Sequence, residues 1–185
     1  MKEVFFNKEW WNRIDKVQEF LLFDPLQKAD ILQSQMIFDF REDYRWLSNF
    51  HLHPIMVRGK WFPSSEHAYQ AYKTNDSNWF SAIQSAKSCF EAKQLGGKAP
   101  LRDDWEVVKF EIMLEVLSSK FSVPELSNLL LATQNAYLVE GNYWHDNTWG
   151  VCTTLGCPKC QGKIALNWLG KALMIIRRSL QIKAG

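Results

Sequence analysis

Between Pro63 and Lys73 the chain reads Pro-Ser-Ser-Glu-His-Ala-Tyr-Gln-Ala-Tyr-Lys, which leaves it little choice of local conformation. Ser64 is a natural N-cap and Pro63 disfavours a helix extending backwards past it, so a helix should open at this point. Glu66 then falls in the first turn, where the helix dipole favours the carboxylate form. Glu66, Gln70 and Lys73 stand at i, i+4 and i+7 and share one face, while Ala68, Tyr69, Ala71 and Tyr72 supply apolar contacts. Such a helix packs well and presents charge either to solvent or to a cleft. Solvent is the ordinary fate of a charged helix face.

The rest of the chain is compatible with one soluble globular domain. It has 185 residues, 46% hydrophobic and 23% charged, enough for a filled core and too few for a second large domain. A net charge of +2 is too small to argue for a dedicated nucleic-acid surface, although 22 basic residues could still cluster on one face. The start, Met-Lys-Glu-Val-Phe-Phe-Asn-Lys-Glu-Trp-Trp, mixes charges into its apolar residues and matches neither a signal peptide nor a membrane span. A cytoplasmic protein without membrane association is expected. Four unevenly spaced cysteines fit reduced thiols or a metal site better than a secreted disulfide framework.

Periodicity predicts an α+β fold, a mainly helical single domain with a small antiparallel sheet. Trp10, Ile14, Val17, Leu21 and Leu22 mark an amphipathic helix between Lys8 and Phe23, ended by Asp24-Pro25. Residues 1–35 are thus expected to be a helical extension, with the main domain at 36–185. Met36–Phe40 and Pro54–Arg58 look like short strands, the second closing with a Gly59-Lys60 turn. Ser88-Cys89-Phe90-Glu91 matches a capping box, with Gly96-Gly97 as a stop. Asp103-Asp104-Trp105-Glu106 opens a long helical segment to Phe121, and Ser122-Val123-Pro124-Glu125 opens another. Ala136–Glu140 is strand-like, and Leu166, Leu169, Leu173, Ile176 and Leu180 form the apolar face of a closing helix.

No Walker-type phosphate loop, GxGxxG, GxSxG elbow or HExxH pair is present, which disfavours nucleotide hydrolysis, hydride transfer and the hydrolase chemistries those motifs serve. The chemistry must come from scattered acids, aromatics and amides. Their order is Leu47-Ser48-Asn49-Phe50, Gly59-Lys60-Trp61-Phe62-Pro63-Ser64-Ser65-Glu66-His67, Ala92-Lys93-Gln94-Leu95-Gly96, Arg102-Asp103-Asp104-Trp105, Asp146-Asn147-Thr148-Trp149-Gly150 and Asn167-Trp168-Leu169-Gly170-Lys171-Ala172-Leu173-Met174. Together, from about Ile37 to Leu180, they resemble the NADAR family of N-glycosidases. Tyr72 departs from the pattern where a polar residue is expected, Gly97 where a basic residue commonly follows Leu-Gly, and a cysteine loop is additional.

Cleaving a C1′–N bond builds positive charge on the ribose, and a nearby carboxylate stabilises it. Glu66 is the candidate, and the resemblance implies that its Ser-Glu-His motif is central to catalysis. Its part as base on water, electrostatic stabiliser or nucleophile stays open. The resemblance makes Asp146 a second functional carboxylate; an Asx turn shaping its loop is the alternative. Trp149 could stack on a base or fill the core. Trp105 beside Arg102 could form a base platform with a phosphate contact, or a hydrophobic staple with a solvated neighbour. Lys73, Lys93 and Arg177 are further candidate anion contacts. Asn49 and Asn167 could contact a base edge or sugar, or serve as caps and turns. His67, about 100° around the helix from Glu66, reads as a supporting residue.

Cys152, Cys157 and Cys160 form C-x4-C-x2-C, and with His145 they offer four ligands for a structural zinc; the alternative is reduced thiols in an inserted loop. No cofactor is expected for catalysis itself. The resemblance implies hydrolysis of an N-glycosidic bond in a ribose derivative, with two substrate settings. One is a ribosylamino-pyrimidine phosphate of the riboflavin pathway. The other is ADP-ribose on guanine, in a nucleotide or with nucleic acid as carrier. A non-catalytic ADP-ribose-binding or nucleotide-binding module is the alternative from another class.

Overall fold

The computed structural model describes residues 35–184, so the expected helix between Lys8 and Phe23 lies outside the described residues. The fold is α+β and mainly helical with small sheets, as expected. Its described residues form two compact units, each from two stretches of chain: residues 40–134 with 171–184, and residues 35–39 with 135–170. No helix among the described residues is long and apolar enough to cross a membrane.

The larger unit begins with a 3-10 helix (Glu42–Leu47) and an antiparallel hairpin of β2 (Leu52–Val57) and β3 (Lys60–Ser64), β1 (Met36–Phe38) belonging to the other unit. Its turn residues, Arg58 and Gly59, have φ of 50° and 73°. Two successive positive φ values give the twist that a two-residue hairpin needs, which puts the turn at Arg58-Gly59, one residue before the expected position. Arg58 is anchored there by a bidentate bond to Glu115, its Nη2 2.7 Å from Oε2. Met36–Phe40 and Pro54–Arg58 do not pair with each other. The hairpin is local, whereas the first segment finds a distant partner.

Helices α1 (Ser65–Ala71), α2 (Ser77–Gln84), α3 (Cys89–Lys98), α4 (Trp105–Lys120) and α5 (Pro124–Ala132) follow. Asp76 caps α2, its Oδ1 accepting the N–H groups of Asn78 and Trp79 at 2.8 and 3.0 Å. Ser88 caps α3 by accepting the Glu91 N–H, and Glu91 reaches back to the N–H of Lys87, one residue beyond the usual box. Gly96-Gly97 does not stop α3, which continues to Lys98 because Gly96 is a packing position. Asp104 occupies the cap of α4 without a side-chain cap bond, since its carboxylate is paired with Arg102. Phe62, 1% exposed, has the rings of Tyr72 and Phe80 at 5.7 and 5.9 Å. Burying such a side chain contributes about 1.5–3 kcal/mol. Ile55, Ile112, Met113, Val116, Leu117 and Leu130 extend this core.

In the smaller unit β1 (Met36–Phe38) pairs in parallel with β4 (Tyr137–Val139), and β5 (Gly141–Asn142) pairs in parallel with β6 (Val151–Cys152). The closing helix α6 (Trp168–Ala184) gives its first residues, through Gly170, to this unit and the rest to the larger one. An added Cβ at Gly170 would lie 2.1 Å from the Leu138 carbonyl oxygen, so only glycine lets the helix approach β4 this closely.

Candidate active site

Glu66 enters the site through three local constraints. Ser64 caps α1 by accepting the His67 N–H at 3.4 Å, and the Glu66 N–H donates to the Asn49 carbonyl at 3.0 Å. One turn on, Gln70 Nε2 donates to Glu66 Oε1 at 2.7 Å, the i, i+4 contact the spacing predicts. Glu66 and Gln70 are only 5% and 4% exposed, so this polar face is not the solvated stripe that composition favours. The rest of the larger unit encloses α1 on all sides: every residue from Ser65 to Ala71 is buried. Gly96 of α3 comes so near Gln70 that a Cβ would stand 2.1 Å from Oε1.

Two buried acceptors have no hydrogen-bond partner, Gln70 Oε1, which faces Gly96, and Asn49 Oδ1; the Asn49 amide Nδ2 contacts Met113 Sδ at 3.4 Å. An unsatisfied buried acceptor costs about 1–3 kcal/mol, a penalty that a ligand's N–H or O–H groups relieve. His67 has a supporting geometry. Its Nδ1 meets Ser64 Oγ at 2.8 Å and its Nε2 meets the Ala86 carbonyl at 3.1 Å, which places a proton on Nε2. Burial lowers its pKa, against a smaller opposing effect of that carbonyl. Cys89, 3.2 Å from Ser64 Oγ, has its thiol pKa raised by burial. Lys120 is fully buried and donates to the Ser48 carbonyl at 2.8 Å.

The other expected residues of this unit have distinct surroundings. Lys73 Nζ lies 5.4 Å over the Tyr69 ring and 5.7 Å over the Trp105 ring. Trp105, 6% exposed, packs 5.2 Å from Tyr69, so the indole forms a wall beneath the ammonium rather than an open platform. Arg102 forms a two-point pair with Asp104, its second bond 2.9 Å long, which raises the Arg102 pKa and lowers that of Asp104. Lys93 lies 5.6 Å over Phe50. Arg177 is buried, donates to Thr133 Oγ1 at 2.7 Å, and has its pKa lowered by burial.

In the smaller unit Asp146 shapes its own loop. Its Oδ1 accepts the N–H groups of Thr148 and Trp149, both at 2.9 Å, an Asx-type turn. The carbonyls of Thr148 and Trp149 in turn accept the N–H groups of Trp168 and Leu169 at the start of α6, which have no partner within the helix. Asn142, fully buried and not singled out from sequence, grips Asp146 twice: Nδ2 donates to its carbonyl at 2.7 Å and Oδ1 accepts its N–H at 3.0 Å. Only its place just ahead of the aromatic loop marked it. Trp149 meets Trp168 edge-to-face at 5.6 Å. Asn167 spends both ends of its amide on backbone, Nδ2 to the Leu138 carbonyl at 2.8 Å and Oδ1 from the Glu140 N–H at 3.1 Å. It therefore extends the edge of β4 and docks the entry to α6. Tyr137, on β4, has its phenol pushed up to about 12, chiefly by burial.

His145, Cys152, Cys157 and Cys160 converge as their spacing suggested, with one donor atom from each within 4.8 Å of all the others. The cluster could hold a metal ion.

Comparison with known proteins gives the class of chemistry. The NADAR domain model matches residues 37–181. Over 149 residues the chain is 39% identical to N-glycosidase YbiA of Escherichia coli (strain K12), covering 77% of this chain and 85% of that one. It is 34% identical over 151 residues to the riboflavin biosynthesis protein PYRR, chloroplastic, of Zea mays, covering 72% of this chain and 23% of that longer one. The NMR structure of E. coli YbiA superposes with a TM-score of 0.69 at 36% identity, covering 82% of this chain and 88% of that one. The protein is an enzyme of the N-glycosidase class. The chain belongs to the NADAR family.

Proposed function

We propose that the protein hydrolyses the N-glycosidic bond of a ribosylamino-pyrimidine phosphate, with Glu66 as the carboxylate at the reacting carbon. The observation that carries this reading is the buried Glu66–Gln70 pair, with Asn49, whose carbonyl accepts the Glu66 N–H, offering the buried acceptor Oδ1 without a hydrogen-bond partner. A ribose and an amino-pyrimidine are both rich in donors, the complement of that acceptor. The choice of substrate is supported by the riboflavin-biosynthesis name of the maize relative. ADP-ribosyl-guanine, free or in DNA, is the other setting the family implies, and the assay below includes it.

In the reaction, the C1′–N electron pair leaves with the departing amine, which takes up a proton. The oxygen of water bonds to C1′, and water's second proton goes to solvent. Charge developing on the ribose between these events is countered by Glu66, whose Oε1 is already oriented by Gln70. Lys73 is the phosphate contact of this reading, because its ammonium is held over two rings while the Arg102 guanidinium is paired with Asp104. Trp105 then acts by placing Lys73. Asp146, Trp149 and Asn167 contribute through the loop and helix entry they hold. No cofactor enters the reaction. The setting is cytoplasmic, the substrate a small molecule, and the catalytic domain spans 36–185 with 1–35 as an extension.

The test is release of free ribose phosphate from a ribosylamino-pyrimidine phosphate, and of ADP-ribose from ADP-ribosylated guanosine and DNA, by wild type and Glu66→Gln. Release from the pyrimidine substrate by wild type, with a loss of about 10²–10³-fold in the variant, is expected for removing a charge aimed at the transition state. Undiminished release by Glu66→Gln overturns the role of Glu66. Release from the guanine substrate alone overturns the substrate choice.

A further inference from the structure

The reaction leaves His145, Cys152, Cys157 and Cys160 unused, yet they form the tightest cluster of metal-binding side chains among the described residues. Cys157 Sγ is 3.1 Å and Cys152 Sγ 3.6 Å from His145 Nδ1. A tetrahedral zinc with ordinary Zn–S and Zn–N bonds sets sulfur–nitrogen edges of about 3.6 Å and sulfur–sulfur edges of about 3.8 Å. The observed edges and the 4.8 Å limit on the whole set match that size with little adjustment. All three cysteines are buried, and none forms a disulfide.

The backbone around these ligands is shaped for them. His145 holds φ of 70°, a left-handed conformation that costs a non-glycine residue energy and persists only where the surroundings fix it. Cys157 and Cys160 sit in consecutive turns: the Cys157 N–H donates to the Thr154 carbonyl, the Cys160 N–H to the Cys157 carbonyl and the Lys163 N–H to the Cys160 carbonyl. Gly156 and Gly162, with φ of 63° and 71°, bracket this knuckle. From Thr153 to Asn167 the chain has no helix or strand, and the three sulfurs form a buried cluster by themselves. Sulfur contacts alone bury too little surface to order such a loop, whereas a metal cross-link orders it directly.

We infer that the protein carries a structural zinc ion bound by His145 Nδ1 and the thiolates of Cys152, Cys157 and Cys160, and that this ion staples the loop bearing Asp146. Two ligands bracket that acid. His145 precedes it directly, and the Cys152 N–H donates to Oδ1 of Asn147, the residue after it, at 3.0 Å. Binding displaces the three thiol protons to solvent and leaves a site of charge −1, with Lys159 and Lys163 in the same loop as compensating cations. Four protein ligands complete the tetrahedron, so the ion has no open position for water and serves structure.

The test is the metal content of the full-length protein purified under reducing conditions without chelator, and again after dialysis against zinc. About one zinc per chain is expected in wild type. Cys157→Ser/Cys160→Ser should fall to less than a tenth of that. Two measurements on wild type alone remain decisive if the variant fails to fold. Cobalt in place of zinc should give the intense visible bands of a tetrahedral thiolate site, and a chelator should speed hydrogen exchange of the amides between Asn142 and Lys163. A wild type that takes up neither zinc nor cobalt, or a folded double variant that keeps its full zinc, overturns the inference. Metal content is read without any substrate, so failure of the proposed reaction and failure of this site are distinguishable.

Discussion

Glu66 and Asp146 are two acids from the same chain, held by different means. Glu66 stands on a regular helix, and its position follows from a cap, an i, i+4 amide and a glycine that lets the neighbouring helix close in. Asp146 stands in an irregular loop, and its position follows from side-chain amides gripping backbone: Asn142 on Asp146 itself, Asp146 on Thr148 and Trp149, and Asn147 on Cys152. Helical placement distributes the constraint over many backbone bonds. Loop placement concentrates it in a few side chains, each of which becomes hard to replace.

The contrast breaks most sharply at Glu66. Glu66→Gln keeps size and the bond to Gln70 while removing charge, so turnover should drop about 10²–10³-fold with the denaturation midpoint nearly unchanged. A fall in stability as large as the fall in activity would place Glu66 in the core rather than in the chemistry.

Glycine substitutions come next, because the two regions use glycine against different neighbours. Gly170→Ala meets a carbonyl oxygen at 2.1 Å and cannot be relieved by a rotamer change, so it should cost about 1–3 kcal/mol in urea unfolding. Gly96→Ala meets Gln70 Oε1 at the same distance, which a rotamer change relieves, and Gln70 Cβ at 2.8 Å, which only a small shift of the helices relieves. Its stability loss should be smaller, and its kcat should fall because Gln70 no longer orients Glu66. Gly97, exposed and with nothing within 4 Å of an added Cβ, is the control. Gly97→Ala should stabilise α3 by about 0.5–1 kcal/mol, since alanine is the better helix former.

Asp146 sharpens the comparison at lower amplitude. Asp146→Asn retains an acceptor for the Thr148 and Trp149 N–H groups, and Asp146→Ala removes it at a cost of about 1 kcal/mol. If the carboxylate charge serves turnover, both variants lose activity; if the turn alone matters, Asn retains it. The pair, assayed side by side, separates charge from shape.

The smallest effect is in pH. His67 has a folded pKa below its ordinary value of 6.5 because it is buried, so the unfolded chain binds the proton more readily. Its contribution to stability is complete above pH 6.5 and is lost as pH falls through the lowered folded value. His51, its pKa lowered by burial and by Lys120, adds in the same direction. Urea midpoints at pH 7 and pH 5 should show a decline that His67→Gln reduces.

Local signals carried most of what the sequence revealed. Ser64, Ser88 and the Glu66–Gln70 spacing announced themselves because caps and i, i+4 pairs involve neighbours in the chain. Cys157-Pro158-Lys159-Cys160 did so for the same reason. What stayed hidden depended on distant partners. Met36–Phe38 pairs with Tyr137–Val139, about a hundred positions away, and nothing in either segment specifies that choice over the hairpin strand. Gly96-Gly97 looked like a helix stop because a glycine needed for close packing and one needed for a positive φ read alike. Arg102 looked like a phosphate ligand, yet Asp104, two residues on, takes both of its bonds and thereby loses its own capping role. Helix α2 was missed although Asp76 caps it and Trp79, Phe80 and Ile83 stand at helical spacing.

The closeness of Gly96 to Gln70 has a consequence on the time scale of descent. Every single substitution at position 96 adds a Cβ 2.1 Å from Oε1 and 2.8 Å from Cβ of Gln70, so lineages in which residue 96 grows must first, or at once, rearrange residue 70 and the spacing of the two helices. The two positions should therefore drift as one unit, and a change at 70 would carry the Glu66 carboxylate with it.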